Sequence, residues 1–158
     1  MQPMTQHTPI ATQVTRISAY GLIVREGRIL LCRNSSMVRD AVGQWTLPGG
    51  GIEFGEDPVD AVVREVFEET GFHVSGTELV AIDSRTVSDY EPLLHAIRII
   101  YRVEVQSGEM THELDGTTDL CAWLTPEEAR ELPLVGLAAH GVALALPAPD
   151  SASSARSR

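Results

Sequence analysis

The sequence lacks features that would mark several protein classes. No apolar run reaches the roughly 18 residues that a membrane helix needs. The N-terminal segment MQPMTQHTPIATQ has no basic start followed by an apolar stretch, so we expect no secretory signal. Only 12 Lys and Arg residues stand against 22 acidic ones. The net charge of −10 argues against general binding to a nucleic-acid backbone. We therefore expect neither a membrane protein nor a nucleic-acid binder.

Cysteine is scarce as well. Cys32 and Cys121 are the only two in the chain, and both lie in apolar, strand-like runs. They could pair, but two isolated thiols without the spacing of a metal site favour reduced core residues. The sequence therefore predicts free thiols and, with them, a cytoplasmic protein.

The composition indicates one globular domain between two polar ends. A chain of 158 residues with 43% hydrophobic residues fits a single domain with a real core. Residues 1–15 are predicted to form a flexible arm, and residues 147–158, rich in Pro, Ser and Ala, a disordered tail. Residues 16–146 mix strand-like and helix-like segments, which predicts an α/β (α+β) sandwich.

Capping signals locate the helices of this domain. Asp57, followed directly by a proline, predicts the start of a helix that Gly71 ends. Thr125 with Glu128 three positions later has the spacing of a capping box and predicts a second helix. A closing helix is predicted over residues 134–146. Strand-like segments precede and follow the first helix.

The first predicted helix gathers three carboxylates in the segment REVFEETG. At about 100° per residue, Glu65, Glu68 and Glu69 share one side of the helix. Glu65 and Glu69 are like charges four residues apart, which destabilise a helix unless a cation lies between them. All three lie near the C-terminal end, where the helix dipole disfavours anions. A solvated acidic face is the ordinary alternative, but this density of oxygen ligands favours Mg²⁺ or Mn²⁺.

A glycine cluster lies just before this helix. Its members within residues 49–55 are Gly49, Gly50, Gly51 and Gly55. Glycine lets the backbone approach a ligand closely, although such a cluster alone usually makes only a turn. Directly before a carboxylate helix, it is typical of one half of a metal–phosphate site.

These residues together resemble the Nudix box of a hydrolase family. The stretch GGIEFGEDPVDAVVREVFEETGF meets every fixed position of that pattern, namely Gly50, Glu56, Arg64, Glu65, Val66, Glu68, Glu69, Gly71 and Phe72. The likeness extends, less specifically, over roughly residues 17–146.

The resemblance implies an α/β/α sandwich around a mixed β-sheet. It also implies Mg²⁺-dependent hydrolysis of a nucleoside diphosphate linked to another group, X, such as a nucleoside triphosphate or an ADP-ribose-like conjugate. The products would be a nucleoside monophosphate and either pyrophosphate or phosphorylated X. The implied metal ligands are Glu65, Glu68, Glu69 and the carbonyl of Gly49. Arg64 would orient the carboxylates by ion pairing, and Glu56 would brace the loop–helix junction. Gly50 and Gly71 would be structural.

The general base is left open by the resemblance. Relatives use either a glutamate of the box or an acid on a distant loop. Glu65 and Glu69 are the candidates within the box, and Glu113 is the preferred candidate outside it. A solvated loop acid is the ordinary alternative for Glu113.

Three further residues are candidates for substrate binding. Arg33 and Arg85, near predicted strand ends, could contact phosphate, although surface arginines usually do not. Trp45 could stack on a base, and core packing is its alternative. None of the three identifies X.

An intact box favours an enzyme over the competing interpretation, a catalytically silent module that senses nucleotides. Apart from the nucleotide, a second copy of the chain is an expected partner, because homodimers are common in the family.

Overall fold

The computed structural model describes residues 12–145 except Tyr90. Most of the predicted arm and all of the predicted tail therefore lie outside the described residues. Residues 13–15, assigned to the arm from sequence, belong instead to the first strand.

The described residues form strands and helices in the predicted alternation. The strands are β1 (Gln13–Leu22), β2 (Val24–Arg25), β3 (Arg28–Asn34), β4 (Trp45–Thr46), β5 (Gly49–Gly51), β6 (His73–Val87), β7 (Leu93–Ser107) and β8 (Thr118–Leu124). The helices are α1 (Pro58–Thr70), α2 (Pro126–Arg130) and α3 (Gly136–Ala145).

The strands build two sheets that face each other. The first sheet has the strand order β5-β1-β7-β6. Strand β1 is parallel to β7, whereas the pairs β5–β1 and β7–β6 are antiparallel. In the second, β3 pairs antiparallel with β2, β4 and β8. Helix α1 packs mainly against β1, β5 and β6, and α3 against β3 and β4. The predicted α/β (α+β) class with a mixed sheet is confirmed.

The core has two parts because successive strand residues point to opposite faces. Leu30 and Cys32 of β3 pack in the part that contains Val66 of α1. The intervening Leu31 packs in the part that contains Leu137 of α3. Each fully buried aliphatic side chain of this kind contributes roughly 1.5–3 kcal/mol. The sheets are thus held between helices on both sides.

Helix α1 begins and ends where the sequence predicts. The Asp57 side chain accepts a hydrogen bond from the Val59 N–H at 2.8 Å. Gly71 takes a left-handed conformation, φ 77°, and its N–H donates to the Phe67 carbonyl at 2.8 Å. A side chain at Gly71 would also press on the backbone carbonyl of Glu109. These caps fix where the C-terminal turn of the helix lies.

The prediction of reduced thiols is wrong. Cys32 and Cys121 lie directly opposite each other on the paired strands β3 and β8 and form a disulfide. Their separation of 89 residues hides this pairing from the sequence, since only strand register brings them together. Because the thiols are not free, they no longer support a cytoplasmic location.

Candidate active site

Glu69 lies at the centre of the carboxylate cluster and is only 2% exposed. Its Oε2 accepts a hydrogen bond from the Gly49 N–H at 2.9 Å, and its Oε1 accepts one from the Thr117 hydroxyl at 3.4 Å. Burial raises the pKa of Glu69 to about 8, and the nearby carboxyls of Glu65 and Glu113 add to the rise. The helix therefore directs a carboxylate inward at a site where its charge is poorly compensated.

Arg64 connects the other acids of the cluster. Its Nε and Nη2 donate to the two carboxylate oxygens of Glu56 at 2.8 and 2.9 Å. Its Nη1 donates to Glu65 at 2.9 Å and to Glu68 at 3.3 Å, and its Nη2 also donates to the Gly51 carbonyl at 3.1 Å. One guanidinium thus joins the loop before α1 to the acidic side of α1.

Glu56 is held in its ionised form by these contacts. Hydrogen bonds from Arg64 and from the Glu53 N–H lower the pKa of Glu56 to about 2. The Glu53 N–H donates to Glu56 at 2.9 Å, which closes the turn that precedes the helix. Arg64 and Glu56 therefore join helix α1 to the turn that precedes it.

Gly50 leaves the space that the Glu65 carboxylate occupies. A Cβ at Gly50 would lie 2.6 Å from Oε2 of Glu65. Burial raises the pKa of Glu65, while Arg64 counteracts the rise. Among the residues of the box, Gly50 thus has a steric role that the fixed spacing alone did not reveal.

Glu113, the candidate acid outside the box, lies with the box carboxylates. It is on the segment that joins β7 to β8, and its carboxyl group packs against Gly116. Burial raises the pKa of Glu113 and the Glu68 charge adds to this, whereas the N–H of Thr118 lowers it. Chain folding therefore brings Glu113 within electrostatic reach of Glu65, Glu68 and Glu69.

A cleft of about 290 Å³ opens between the two sheets beside Glu69 and Gly49. On the first sheet it is lined by Tyr20 and Arg85, among others, and on the second by Asn34. Burial raises the pKa of the Tyr20 phenol, so this group stays neutral and available for hydrogen bonding. Arg85, predicted from sequence as a substrate residue, is therefore at the cleft.

The other two predicted substrate residues do not line this cleft. The Nε of Arg33 donates to Asp119 at 2.8 Å in a half-exposed ion pair. Trp45 is 8% exposed and packs in the core beside Leu47 and Leu137. Core packing, the alternative for Trp45, is what the structure shows.

Several cleft residues were not predicted from the sequence. Asn34, Thr117 and Thr118 come from segments far apart in the chain, and Arg16 and Arg98 lie on the paired strands β1 and β7. Thr117 and Thr118 lie a few residues after Glu113 in the sequence. Their closeness to this candidate acid is the one local signal that could have indicated a place at the cleft.

The acidic cluster fits a hard dication by its chemistry. Glu65, Glu68 and Glu69 offer only oxygen donors, which Mg²⁺ and Mn²⁺ prefer. Burial raises the pKa of Glu69, and the charges of Glu65 and Glu113 raise it further; a bound cation would offset both effects. In residues 12–145 without Tyr90, no three acidic, His or Cys side chains already converge as a ligand set. Glu65 and Glu68 point to Arg64 instead, so their carboxylates must turn to bind an ion.

Two curated bacterial proteins are similar in sequence. A MutT-like protein of Streptomyces ambofaciens is 36% identical over 116 residues, which cover 73% of this chain and 67% of that protein. A CTP pyrophosphohydrolase of Escherichia coli K12 is 34% identical over 113 residues, which cover 72% of this chain and 78% of that protein.

Solved structures share the fold. A NUDIX hydrolase from Nitrosomonas europaea superimposes with a TM-score of 0.71 at 22% identity, over 83% of this chain and 88% of that one. No helix in the described part of the chain has the length and apolarity to cross a membrane.

A sequence model of the NUDIX domain matches residues 14–144, which is most of the chain. With the box acids assembled beside a cleft, the chain belongs to the Nudix hydrolase family.

Proposed function

We propose that the protein uses Mg²⁺ or Mn²⁺ to hydrolyse the diphosphate bond of a nucleoside diphosphate derivative. A nucleoside triphosphate would give a nucleoside monophosphate and pyrophosphate, and an ADP-ribose-like conjugate would give the monophosphate and phosphorylated X. The observation that carries the proposal is the placement of Glu69. It is buried, held by Gly49 and Thr117, and opens on the cleft beside Glu65 and Glu113.

The residues that would hold the ion are Glu65, Glu68, Glu69 and the carbonyl of Gly49. The bound ion would neutralise phosphate oxygens and activate water for attack on phosphorus. Gly49 is a candidate ligand because the bond from its N–H to Glu69 holds this residue beside the cluster. Arg64 holds Glu65 and Glu68 by one hydrogen bond each, so these carboxylates can turn toward an ion while the bidentate pair of Arg64 with Glu56 keeps α1 in place.

Glu113 is our candidate for the general base, with Glu65 and Glu69 as the alternatives in the box. Both oxygens of Glu69 accept hydrogen bonds, and Glu65 is paired with Arg64. The Glu113 carboxyl is only partly buried, and burial and the Glu68 charge raise its pKa. A raised pKa brings a carboxylate closer to the range in which it accepts a proton at neutral pH.

The names of the relatives support nucleotide substrates. One of them is a CTP pyrophosphohydrolase, which favours a nucleoside triphosphate. Arg85 lines the same cleft as Glu69, which supports its proposed role as a phosphate contact. A cytoplasmic location suits such a substrate, and a homodimer stays a prediction.

A substrate panel with Mg²⁺ tests this function. Nucleoside triphosphates and ADP-ribose are incubated with the protein, and phosphorus NMR or chromatography identifies the products. We expect a nucleoside monophosphate from at least one substrate, and a loss of turnover by at least 100-fold in Glu69→Gln. Nucleotide binding without hydrolysis would contradict the proposal and favour the sensing module.

A further inference from the structure

The N–H of Cys121 in β8 is bound by a side chain rather than by a neighbouring strand. In the described part of the chain, β8 pairs only with β3, where Cys121 lies opposite Cys32 with 4.1 Å between the two Cα atoms. This short spacing is typical of antiparallel pairs whose N–H groups point away from the partner strand. The N–H of Cys121 donates to Nδ1 of His112 at 3.2 Å. His112 thus attaches the loop before β8 to the free edge of that strand.

Ser35 attaches the other end of this loop, which spans residues 108–117 and carries Glu113. The Ser35 hydroxyl donates to the Gly116 carbonyl at 2.7 Å, and the Ser35 N–H donates to the Thr117 carbonyl at 2.9 Å. Ser35 directly follows β3 and is only 9% exposed, so this contact is well fixed. Glu113 therefore lies between two attachment points, one on each side of it in the loop.

The carboxyl group of Glu113 occupies a place that the rest of the loop leaves open. A Cβ at Gly116 would overlap with this carboxyl group. The N–H of Thr118 binds the carboxyl group and lowers its pKa, and its charge in turn raises the pKa of both Glu65 and Glu69. Because Glu113 belongs to no helix or strand, the path of the loop decides where its carboxylate lies.

From these contacts we infer that His112 is a positioning residue, which holds the loop so that Glu113 can act as the base beside the box acids. The inference rests on the proposed hydrolysis with Glu113 as its base, and it adds the contact that places this base. In that step the water oxygen bonds to phosphorus and Glu113 takes the proton. The bridging P–O bond breaks, and its electron pair leaves with the departing phosphate. A displacement of about 1 Å can slow such a step roughly 100-fold, so a base on a loop depends on the contacts that fix the loop.

Two substitutions of His112 separate its acceptor atom from its bulk. His112→Phe keeps a ring but removes the acceptor, whereas His112→Asn offers Oδ1 close to the place of Nδ1. We expect kcat to fall about 10-fold in His112→Phe with KM changed by less than about 2-fold, and His112→Asn to regain most of the loss. Because His112 is exposed, Tm should fall by no more than about 4 °C. His140→Phe, at an exposed histidine of α3, is the matched control and should be silent.

A double-mutant cycle shows whether His112 acts through Glu113. Glu113→Gln should itself lower kcat by about 100-fold. His112→Phe added to Glu113→Gln should then cost less than about 2-fold more, because there is no base left to misplace. The affinity for Mn²⁺ should stay within about 3-fold in His112→Phe, since the glutamates that would hold the ion belong to α1.

Gly116→Ala displaces the Glu113 carboxyl group by another route and leaves the His112 contact intact. The added methyl group would overlap with the end of a flexible side chain, so the fold should accommodate it. We expect a fall in kcat of about 10-fold, as in His112→Phe, and again almost no further loss in the Glu113→Gln background.

Three results would overturn the inference. One is normal kcat in His112→Phe or in Glu113→Gln. Another is a His112→Asn variant that is as slow as His112→Phe, because the acceptor atom would then be irrelevant. The third is an equal loss from His112→Phe with and without the Glu113 carboxylate, which would show a purely structural histidine.

If the unmodified protein hydrolyses no nucleotide, the proposed function fails instead, and amide hydrogen exchange measured by NMR tests the positioning role. His112→Phe should then speed exchange by at least 10-fold at Cys121, which loses its acceptor, and at Thr118, which loses the Glu113 carboxylate. His112→Asn should speed neither. Unchanged exchange at Thr118 in His112→Phe would show that His112 does not place Glu113.

Discussion

Arg64 holds Glu56 through two parallel hydrogen bonds, 2.8 and 2.9 Å long, between the guanidinium fork and the two carboxylate oxygens. The pair joins helix α1 to the loop before it, and the Arg64 contact with the Gly51 carbonyl strengthens the same junction. Because Glu69 accepts a hydrogen bond from the Gly49 N–H in β5, directly before that loop, the arginine fixes the backbone around which the carboxylates gather.

Arg64→Lys should therefore impair activity although the charge is kept. An ammonium group cannot make the bidentate contact to Glu56 while also reaching Glu65 and Gly51. We expect kcat/KM to fall by about 10–100-fold, the effect usual for residues that orient metal ligands. Arg28→Lys, in the exposed Arg28–Glu128 pair at 3.2 Å, is the matched control and should be nearly silent. Full activity of Arg64→Lys would refute this role.

The same pair predicts how acid affects stability. The pKa of Glu56 is about 2 in the folded protein and near its ordinary value of 4.5 in the unfolded chain. A lowered folded-state pKa means that the stabilisation is complete above about pH 4.5 and is lost as the pH falls toward 2. In urea unfolding, Glu56→Gln should be less stable than the unmodified protein at pH 6, and the difference should shrink by pH 3. A constant difference between these pH values would contradict the assignment.

Gly50→Ala should separate stability from activity. The added methyl group would meet the Glu65 carboxylate, the movable end of a long side chain, so the fold should accommodate it. We expect a small change in Tm, but a fall in kcat of at least 10-fold because the carboxylate is displaced. Gly43→Ala is not a suitable control, since Gly43 has φ 74° and would be strained for another reason. A variant with normal kcat would show that the position of Glu65 is unimportant.

Two predicted substrate arginines should behave differently. Arg85 lines the cleft, whereas the Nε of Arg33 is bound to Asp119 outside it. Arg85→Ala should raise KM by about 10-fold with a smaller change in kcat, and Arg33→Ala should change either constant by less than about 3-fold. The reverse order of effects would place the phosphates of the substrate near Arg33.

Local signals predicted much of the fold. Asp57 and Gly71 mark the ends of α1, and the capping box of Thr125 and Glu128 begins α2, because caps depend on residues two to four positions apart. The grouping of Glu65, Glu68 and Glu69 follows from helical geometry in the same way. The burial of Glu69 was not predicted, because helical periodicity gives the side of a residue but not what covers it.

Contacts that depend on strand register could not be predicted. The disulfide of Cys32 with Cys121 and the facing of Asn34 and Thr118 both arise from the pairing of β3 with β8. A shift of one residue in that pairing would turn these side chains to the other face. The sequence contains no short-range signal for that register, so the cleft residues outside the box emerge only from the structure.

Titration of the protein with Mn²⁺, followed by electron paramagnetic resonance of the free ion, tests the central claim most directly. The account predicts that the unmodified protein binds Mn²⁺ and that Glu65→Gln and Glu69→Gln each weaken this binding by at least 10-fold, whereas Glu127→Gln, in the exposed acid–arginine pair of α2, does not. Equal Mn²⁺ affinity in all four proteins would show that the carboxylates beside the cleft hold no metal.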